Sequence, residues 1–451
     1  MATLIRQAYL LGLADEEASS VDDSVSASQW VGPEGKGDVL IENGRIVSVA
    51  PMLSERPDNV KIIEAEGQFL GPGLVDLYSQ SGEPGHEPRE TNQSLRRAAA
   101  AGGFTRVGLL PNTQPAADNA GAIASLSSVI PSSATSAAEA QLMPWATITL
   151  GAEGNQLTEL SELAAAGAIG FTDVCPIANP VLLRRLLEYA QPLQKPIALW
   201  PCAPNLVGGG VAREGVDTLR LGLRGVSAIA ETTLLATLLE CVAEIGTPVH
   251  LMRISTARSV SLIRKAKAEG LPISASVPWH HLTFDTQDLS SYNPNLRHDP
   301  PLGTPEDRQA LIAGIADGVI DAIAIDHSPY TYEEKTVAFD ATPPGAIGLE
   351  LALPLLWQTF VSSQSNPEQS NSERWSPEQL WQCLSQGPAN CLGLPVKALK
   401  PNHPAELTLF NPKTVWQATP ENLHSLASNT PWLNQPIQGK TTAIWMPNIQ
   451  S

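Results

Sequence analysis

The amino-acid sequence predicts an α/β fold: a TIM-type (β/α)8 barrel with a small composite β-sandwich domain built from both ends of the chain. Three observations predict it. The first 70 residues hold short β-type runs separated by turns. The middle alternates apolar, β-branched runs with Ala- and Leu-rich helical stretches, and after about residue 394 the β pattern returns. The expected division is 1–70 plus 395–451 for the β domain and 71–394 for the barrel.

Leu4–Leu13 reads as the first strand rather than a signal peptide. MATLIRQAYLLGLADEE has one cation, and no small-residue cleavage site follows it. Residues 15–37 are acidic, Ser-rich and Gly-rich, which predicts a surface loop or flexible insertion. In DVLIENGRIVSVAP the Asn43-Gly44 pair between two β-rich runs is a hairpin signal. KIIEAEGQFLGPG adds another strand and turn.

Eight further apolar runs follow: Gly73–Tyr78, Thr105–Leu110, Ala146–Leu150, Ala168–Asp173, Pro196–Trp200, Pro248–Ile254, Pro272–Val277 and Ala322–Asp326. Helical stretches such as SLRRAAAAGG, PVLLRRLLEYA, TTLLATLLECVAEIG and DRQALIAGIADG separate them. Repeated β-then-α units imply a parallel barrel ringed by helices. Glycines at several helix ends mark the boundaries. Residues 362–379 read as a polar loop before a helix, and AELTLFNP and TTAIWMPN supply the closing strands. Neither β-rich end is long enough to bury much surface alone, so the two are expected to pair.

Composition narrows the function. The chain has 451 residues, 43% of them hydrophobic, with a mean hydropathy of -0.05. That excludes a disordered chain. No apolar run reaches the length of a membrane span. The formal net charge is -18. An acidic surface repels phosphate backbones and anionic lipids, so neither nucleic acid nor membrane is an expected partner. Five cysteines without a CxxC pair do not make a disulfide framework. A reducing, cytoplasmic compartment fits.

Chemistry in such barrels sits at the C-terminal ends of the strands. A catalytic divalent metal needs at least three converging His, Asp, Glu or Cys ligands. The candidates are Asp173, Asp326 and His327, with Cys175 and Cys202 in nearby loops. Asp326 is a candidate general base, because burial can raise a carboxylate pKa. The competing structural reading has Asp326 and His327 brace a loop. His280 and His281 are adjacent, and adjacent side chains in a strand or loop diverge, so both rarely hold one ion. Arg253, also at a strand end, could pair with Asp326 or Asp173.

These residues carry a family resemblance. GPGLVDLYSQSGEPGHEPRETNQSLRRAAAAGGFTRVGLLPNTQPAADN resembles the first barrel segment of class I dihydroorotases. GAIGFTDV, PVHLMRISTARSVSLIRKAKAEG, SVPWHHL, DPPLGTPEDRQALIAGIADGVIDAIAIDHSPYTYEEK and GAIGLELALPLL resemble later segments. The likeness runs from about residue 38 to the end and implies an amidohydrolase barrel with a composite β domain.

The departures fall on the implied zinc site. The family's His-x-His pair is Tyr78 and Gln80 here. The Arg that holds the substrate carboxylate is Gly82. The strand-five His is Pro201, the strand-six His is Arg253, and the last His of the Asp-His-x-Pro-His motif is Tyr330. Asp173 and Asp326 remain of the metal positions, and Asn112 remains of the substrate contacts. Four of six metal-site positions have therefore changed. Arg253 also brings a fixed charge, and each like pair at about 4 Å repels by about 4 kcal/mol at an effective dielectric of about 20. An Arg253–Asp ion pair is expected where zinc would sit, with no metal cofactor.

The resemblance extends to non-catalytic homologues that serve as structural partners of aspartate transcarbamoylase. The first expectation is therefore an inactive, homo-oligomeric dihydroorotase-like protein of pyrimidine biosynthesis, with Asp326 a remnant base and Asn112 a remnant substrate contact. The alternative is an active zinc-dependent cyclic amidohydrolase (dihydroorotase, or hydantoinase- or allantoinase-like) with a rebuilt site. A third possibility is a small-molecule sensor that uses Asn112, Tyr78, Tyr330 and Arg253 without turnover.

Overall fold

The computed structural model describes residues 2–13, 35–54, 59–127, 139–362, 374–395 and 398–447. Most of the expected insertion at 15–37, and positions 363–373 of the expected polar loop, lie outside the described residues.

Five strands open the chain: β1 Thr3–Leu10, β2 Lys36–Glu42, β3 Arg45–Ala50, β4 Lys61–Glu64 and β5 Phe69–Pro72. Asn43 and Gly44 both take left-handed φ values, 50° and 75°, and join β2 to β3 in an antiparallel hairpin. β1 pairs with β4 through Thr3–Arg6 and with β5 through Tyr9 and Leu10. Between those stretches its register with β2 shifts, and Gln7 sits at φ 57°. The bulge lets one strand serve two partners on the same edge.

The barrel strands are β6 Leu74–Ser79, β7 Phe104–Leu109, β8 Gln141–Pro144, β9 Phe171–Thr172 and β10 Ile197–Leu199. A short parallel pair, β11 Ala212–Arg213 and β12 Gly225–Val226, interrupts the order. The barrel resumes with β13 Val249–Leu251, β14 Ile273–Pro278 and β15 Ala322–Ala324. All neighbouring pairs are parallel, and one bridge, Ala146 to Phe171, links β8 to β9. The seam between β15 and β6 closes through side chain and backbone. Asp76 accepts the Ile325 N–H at 2.8 Å, and the Gln80 N–H donates to the His327 carbonyl at 2.8 Å.

Seven of the eight barrel runs read from the sequence overlap their strands, and one is misplaced. The third strand is not Ala146–Leu150 but Gln141–Pro144. Residues 146–149 continue beyond it and bend over Asp173, to which Ile148 and Thr149 bond. Apolar content alone could not separate a strand from the buried segment that follows it.

Helices over Asn92–Gly102, Pro180–Ala190, Ile229–Ile245, Ala257–Ala268 and Pro305–Ala316 pack outside the barrel. Thr304 caps the last with a reciprocal Asp307 bond, and Pro305 pre-sets its first turn. The final strands, β16 Leu407–Gln417 and β17 Pro436–Trp445, join the first five in one seven-stranded sheet. β16 lies antiparallel to β5, so Leu407 and Leu409 share a core with Ile5, Val39 and Leu70. Among the described residues no helix is long and apolar enough to cross a membrane.

Candidate functional site

A cavity of about 180 Å³ opens at the C-terminal mouth of the barrel. Arg253 follows β13 and Asp326 follows β15, and both line it. Both residues have left-handed backbone, φ 58° and 49°. Such strain costs about 1–3 kcal/mol per residue and persists only where the surroundings fix it. Here the side chains interlock. Arg253 Nε donates to Asp326 Oδ2 at 3.0 Å, and Nη2 donates to Oδ1 at 2.7 Å. Burial opposes the Arg253 charge, but Asp326 outweighs it and holds the guanidinium protonated.

A buried chain of polar groups supports this pair from below. The Arg253 N–H donates to the Tyr78 hydroxyl at 3.1 Å. That hydroxyl lies 3.1 Å from Ser276 Oγ, which lies 2.8 Å from His250 Nε2. Burial pushes the Tyr78 phenol upward and the His250 imidazole down to about 3. Tyr78 is thus a neutral strut in the barrel core. The guanidinium lies 5.3 Å from the Trp200 ring and 5.9 Å from the Tyr78 ring.

Asp173 does not line the cavity. Its Oδ1 accepts the N–H groups of Ile148 (2.8 Å) and Thr149 (3.2 Å), and its Oδ2 accepts Thr149 Oγ1 at 2.5 Å. Asp326 and Asp173 therefore serve different structures. Gln80 and Asn112 do line the cavity and bond to each other, Asn112 Nδ2 donating to Gln80 Oε1 at 3.0 Å. The Asn112 Oδ1 atom is buried without a partner.

Gly82, where the resemblance implies a carboxylate-binding Arg, has no room for a side chain. A Cβ on Gly82 would lie 2.0 Å from the His86 carbonyl oxygen. Pro201 is buried, and its neighbour Trp200 reaches the cavity instead. Tyr330 lines the wall with its ring 4.9 Å from the Arg89 guanidinium. Cys175 lines it too, with its thiol pushed up by burial and by Asp173. Cys202 faces a separate small cavity, and burial pushes its thiol up to about 12. Neither is an activated thiolate.

His327 is turned away from the cavity. Its Nδ1 accepts the Gly348 N–H at 3.2 Å, and its Nε2 faces Glu90 at 3.4 Å. His280 and His281 both line the cavity, against the expected divergence, because His280–Thr283 is a helical turn and not a strand. Burial lowers both imidazoles, His281 to about 4. His298 and Asp299 complete the wall, and the His298 ring lies tilted against His280, centroids 4.3 Å apart. Sequence reasoning missed these two. The signal available was RHDPP, a charged stretch before two prolines.

Zinc does not fit these residues. Both Asp326 oxygens are bonded to Arg253, Asp173 is occupied by residues 148 and 149, and Pro201 offers no donor. Among the described residues no three His, Cys, Asp or Glu side chains converge to hold a metal.

Comparison with known proteins places the chain. Residues 67–259 match the family described as dihydro-orotase-like. A probable dihydroorotase-like protein of Synechocystis sp. is 41% identical, over 91% of this chain and 96% of its own. A dihydroorotase of Anaeromyxobacter sp. is 36% identical, over 91% and 92%. The L-hydantoinase of Arthrobacter aurescens shares the fold with a TM-score of 0.78 at 18% identity, covering 98% of this chain and 94% of that one.

Proposed function

This chain belongs to the dihydroorotase-like family, and from that premise we propose that it is a member without hydrolase activity that acts as a structural partner of aspartate transcarbamoylase. One observation carries the loss of hydrolysis: the Arg253 guanidinium holds both oxygens of Asp326. Ring opening of a cyclic ureide needs an activated water and a base. Metal-bound water reaches a pKa of about 7, against about 15.7 in bulk. The residues that would hold the metal have become Tyr78, Gln80, Pro201 and Arg253. The carboxylate that would act as base is committed to an ion pair. A lone general base contributes about 10²–10⁴-fold, too little for this reaction.

The partner follows from the resemblance to non-catalytic homologues, and the setting would be cytoplasmic pyrimidine biosynthesis. A net charge of -18 favours a partner with a basic face. Self-association into a homo-oligomer belongs to the same reading.

The test begins with metal content by elemental analysis, before and after added zinc, with dihydroorotate hydrolysis assayed on the same sample. The expected result is below about a tenth of a zinc per chain and no turnover. Co-purification with aspartate transcarbamoylase and a shared gel-filtration peak are expected next. Tightly held zinc with turnover would overturn the proposal in favour of an active cyclic amidohydrolase. Failure to associate with the transcarbamoylase would remove the partner and leave the inactive site.

A further inference from the structure

A second cavity, about 320 Å³, adjoins the first and shares His298 and Asp299 with it. Four charged side chains line it: Arg224, Arg297, Asp299 and Asp340. Among the described residues none of the four makes an ion pair within 4 Å or a side-chain hydrogen bond. That sets them apart from other charges at this end of the barrel. Arg253 pairs with Asp326, Arg89 with Glu334 and Arg308 with Asp285.

We propose that this outer cavity binds the zwitterion of a small α-amino acid, its carboxylate on Arg224 and Arg297 and its ammonium on Asp299 and Asp340. The two cations and two anions partly compensate each other across the space, and with none of them paired within 4 Å they leave a partner for each end of a ligand that carries both charges. Burial pushes the Arg297 pKa down, Asp299 and Asp340 oppose that, and Arg224 adds to it. The Nε atom of Arg297 and the Nε2 atom of His298 are buried and unpartnered, which leaves one donor and one ring nitrogen to be satisfied. Buried groups of that kind cost about 1–3 kcal/mol each when left unmade. The volume is at the small end of ligand cavities, about 300–1,000 Å³, which suits a short side chain. Gly209 and Gly210 form part of the wall, and Gly209 leaves room beside Arg224. A Cβ on Gly209 would lie 3.2 Å from Nη1 of the lining Arg224.

The inference is independent of hydrolysis, because binding is read without turnover. The experiment uses the full chain and glycine as the probe, followed by ligand-observed NMR or calorimetry. Acetate and methylammonium, each carrying one half of the pattern, are titrated separately. Glycine is expected to bind at least about ten-fold tighter than either. Arg224→Gln and Asp340→Asn alter exposed, unpaired side chains, so both variants are expected to melt like the parent. Each should weaken glycine about ten-fold, the loss of one charge-assisted contact. Acetate binding as tightly as glycine would overturn the proposal in favour of a simple anion site. No glycine binding up to about 50 mM, or binding unchanged in both variants, would also overturn it.

Discussion

Arg253 and Asp326 form a two-bonded ion pair across the mouth of the barrel, from the ends of strands that do not neighbour each other in the sheet. The side chains are 5% and 12% exposed. A buried pair is costly to assemble and more costly to break. Arg253→Ala should therefore destabilise the fold by about 3–5 kcal/mol, because Asp326 is left as an unpaired charge. The double variant Arg253→Met, Asp326→Asn should recover most of that loss. Urea unfolding of the three proteins checks it. An Arg253→Ala variant as stable as the parent would mean that the pair does not hold this end together.

Asp173 presents as a strut. It gathers the Ile148 and Thr149 N–H groups and the Thr149 hydroxyl where the chain leaves β8. Asp173→Ala should cost about 3 kcal/mol, since two buried N–H groups lose their acceptor. Zinc content should not change between variant and parent. A fall in melting temperature with identical elemental analysis is the expected pair of results. A variant that loses bound metal would return Asp173 to a ligand role.

Gly82 is fixed by contact rather than by a left-handed turn. A Cβ there would approach the His86 oxygen to 2.0 Å and the Glu90 oxygen to 2.7 Å. Gly82→Ala should cost about 1–3 kcal/mol, the range of forced overpacking, and a long side chain more. Thermal melts of Gly82→Ala and Gly82→Arg check this. The consequence is functional. An Arg at this position, which could grip a carboxylate, cannot be restored by one substitution while the 82–90 loop keeps this path.

The barrel was legible because its signals are local and repeated. Thr304, Pro305 and Asp307 spell a helix start, and Asn43-Gly44 spells a hairpin. The third strand was not legible, since Gln141–Pro144 is less apolar than the Asp173-wrapping segment that follows it. At the site, the identities of Tyr78, Gln80, Pro201 and Arg253 were plain from the sequence. Which carboxylate Arg253 would choose was not, because strand ends fix direction only after the barrel closes. His298 and Asp299 escaped notice for the same reason. They sit in a long connection after β14, where no periodicity says which side chains turn inward.

Buried imidazoles contribute to the acid limb of stability. Burial pushes His250 down to about 3 and His281 to about 4, against about 6.5 when unfolded. The unfolded chain then binds more protons than the folded one below pH 6.5. Their contribution is present above that pH and is lost as the pH falls toward the folded values. Each group can add a slope of about 1.4 kcal/mol per pH unit. Asp76 acts in the opposite sense. Burial raises it to about 7, so its contribution is present at low pH and lost as the pH rises through about 7. Comparing a variant with its parent separates the two. His250→Gln should lose stability at pH 7, where the Ser274 and Ser276 bonds are broken or weakened. The gap to the parent should shrink between pH 6.5 and 5, because the variant has no imidazole left to charge. Urea unfolding at three pH values measures the gap. Parallel stability curves would show that His250 keeps an ordinary pKa in the folded protein.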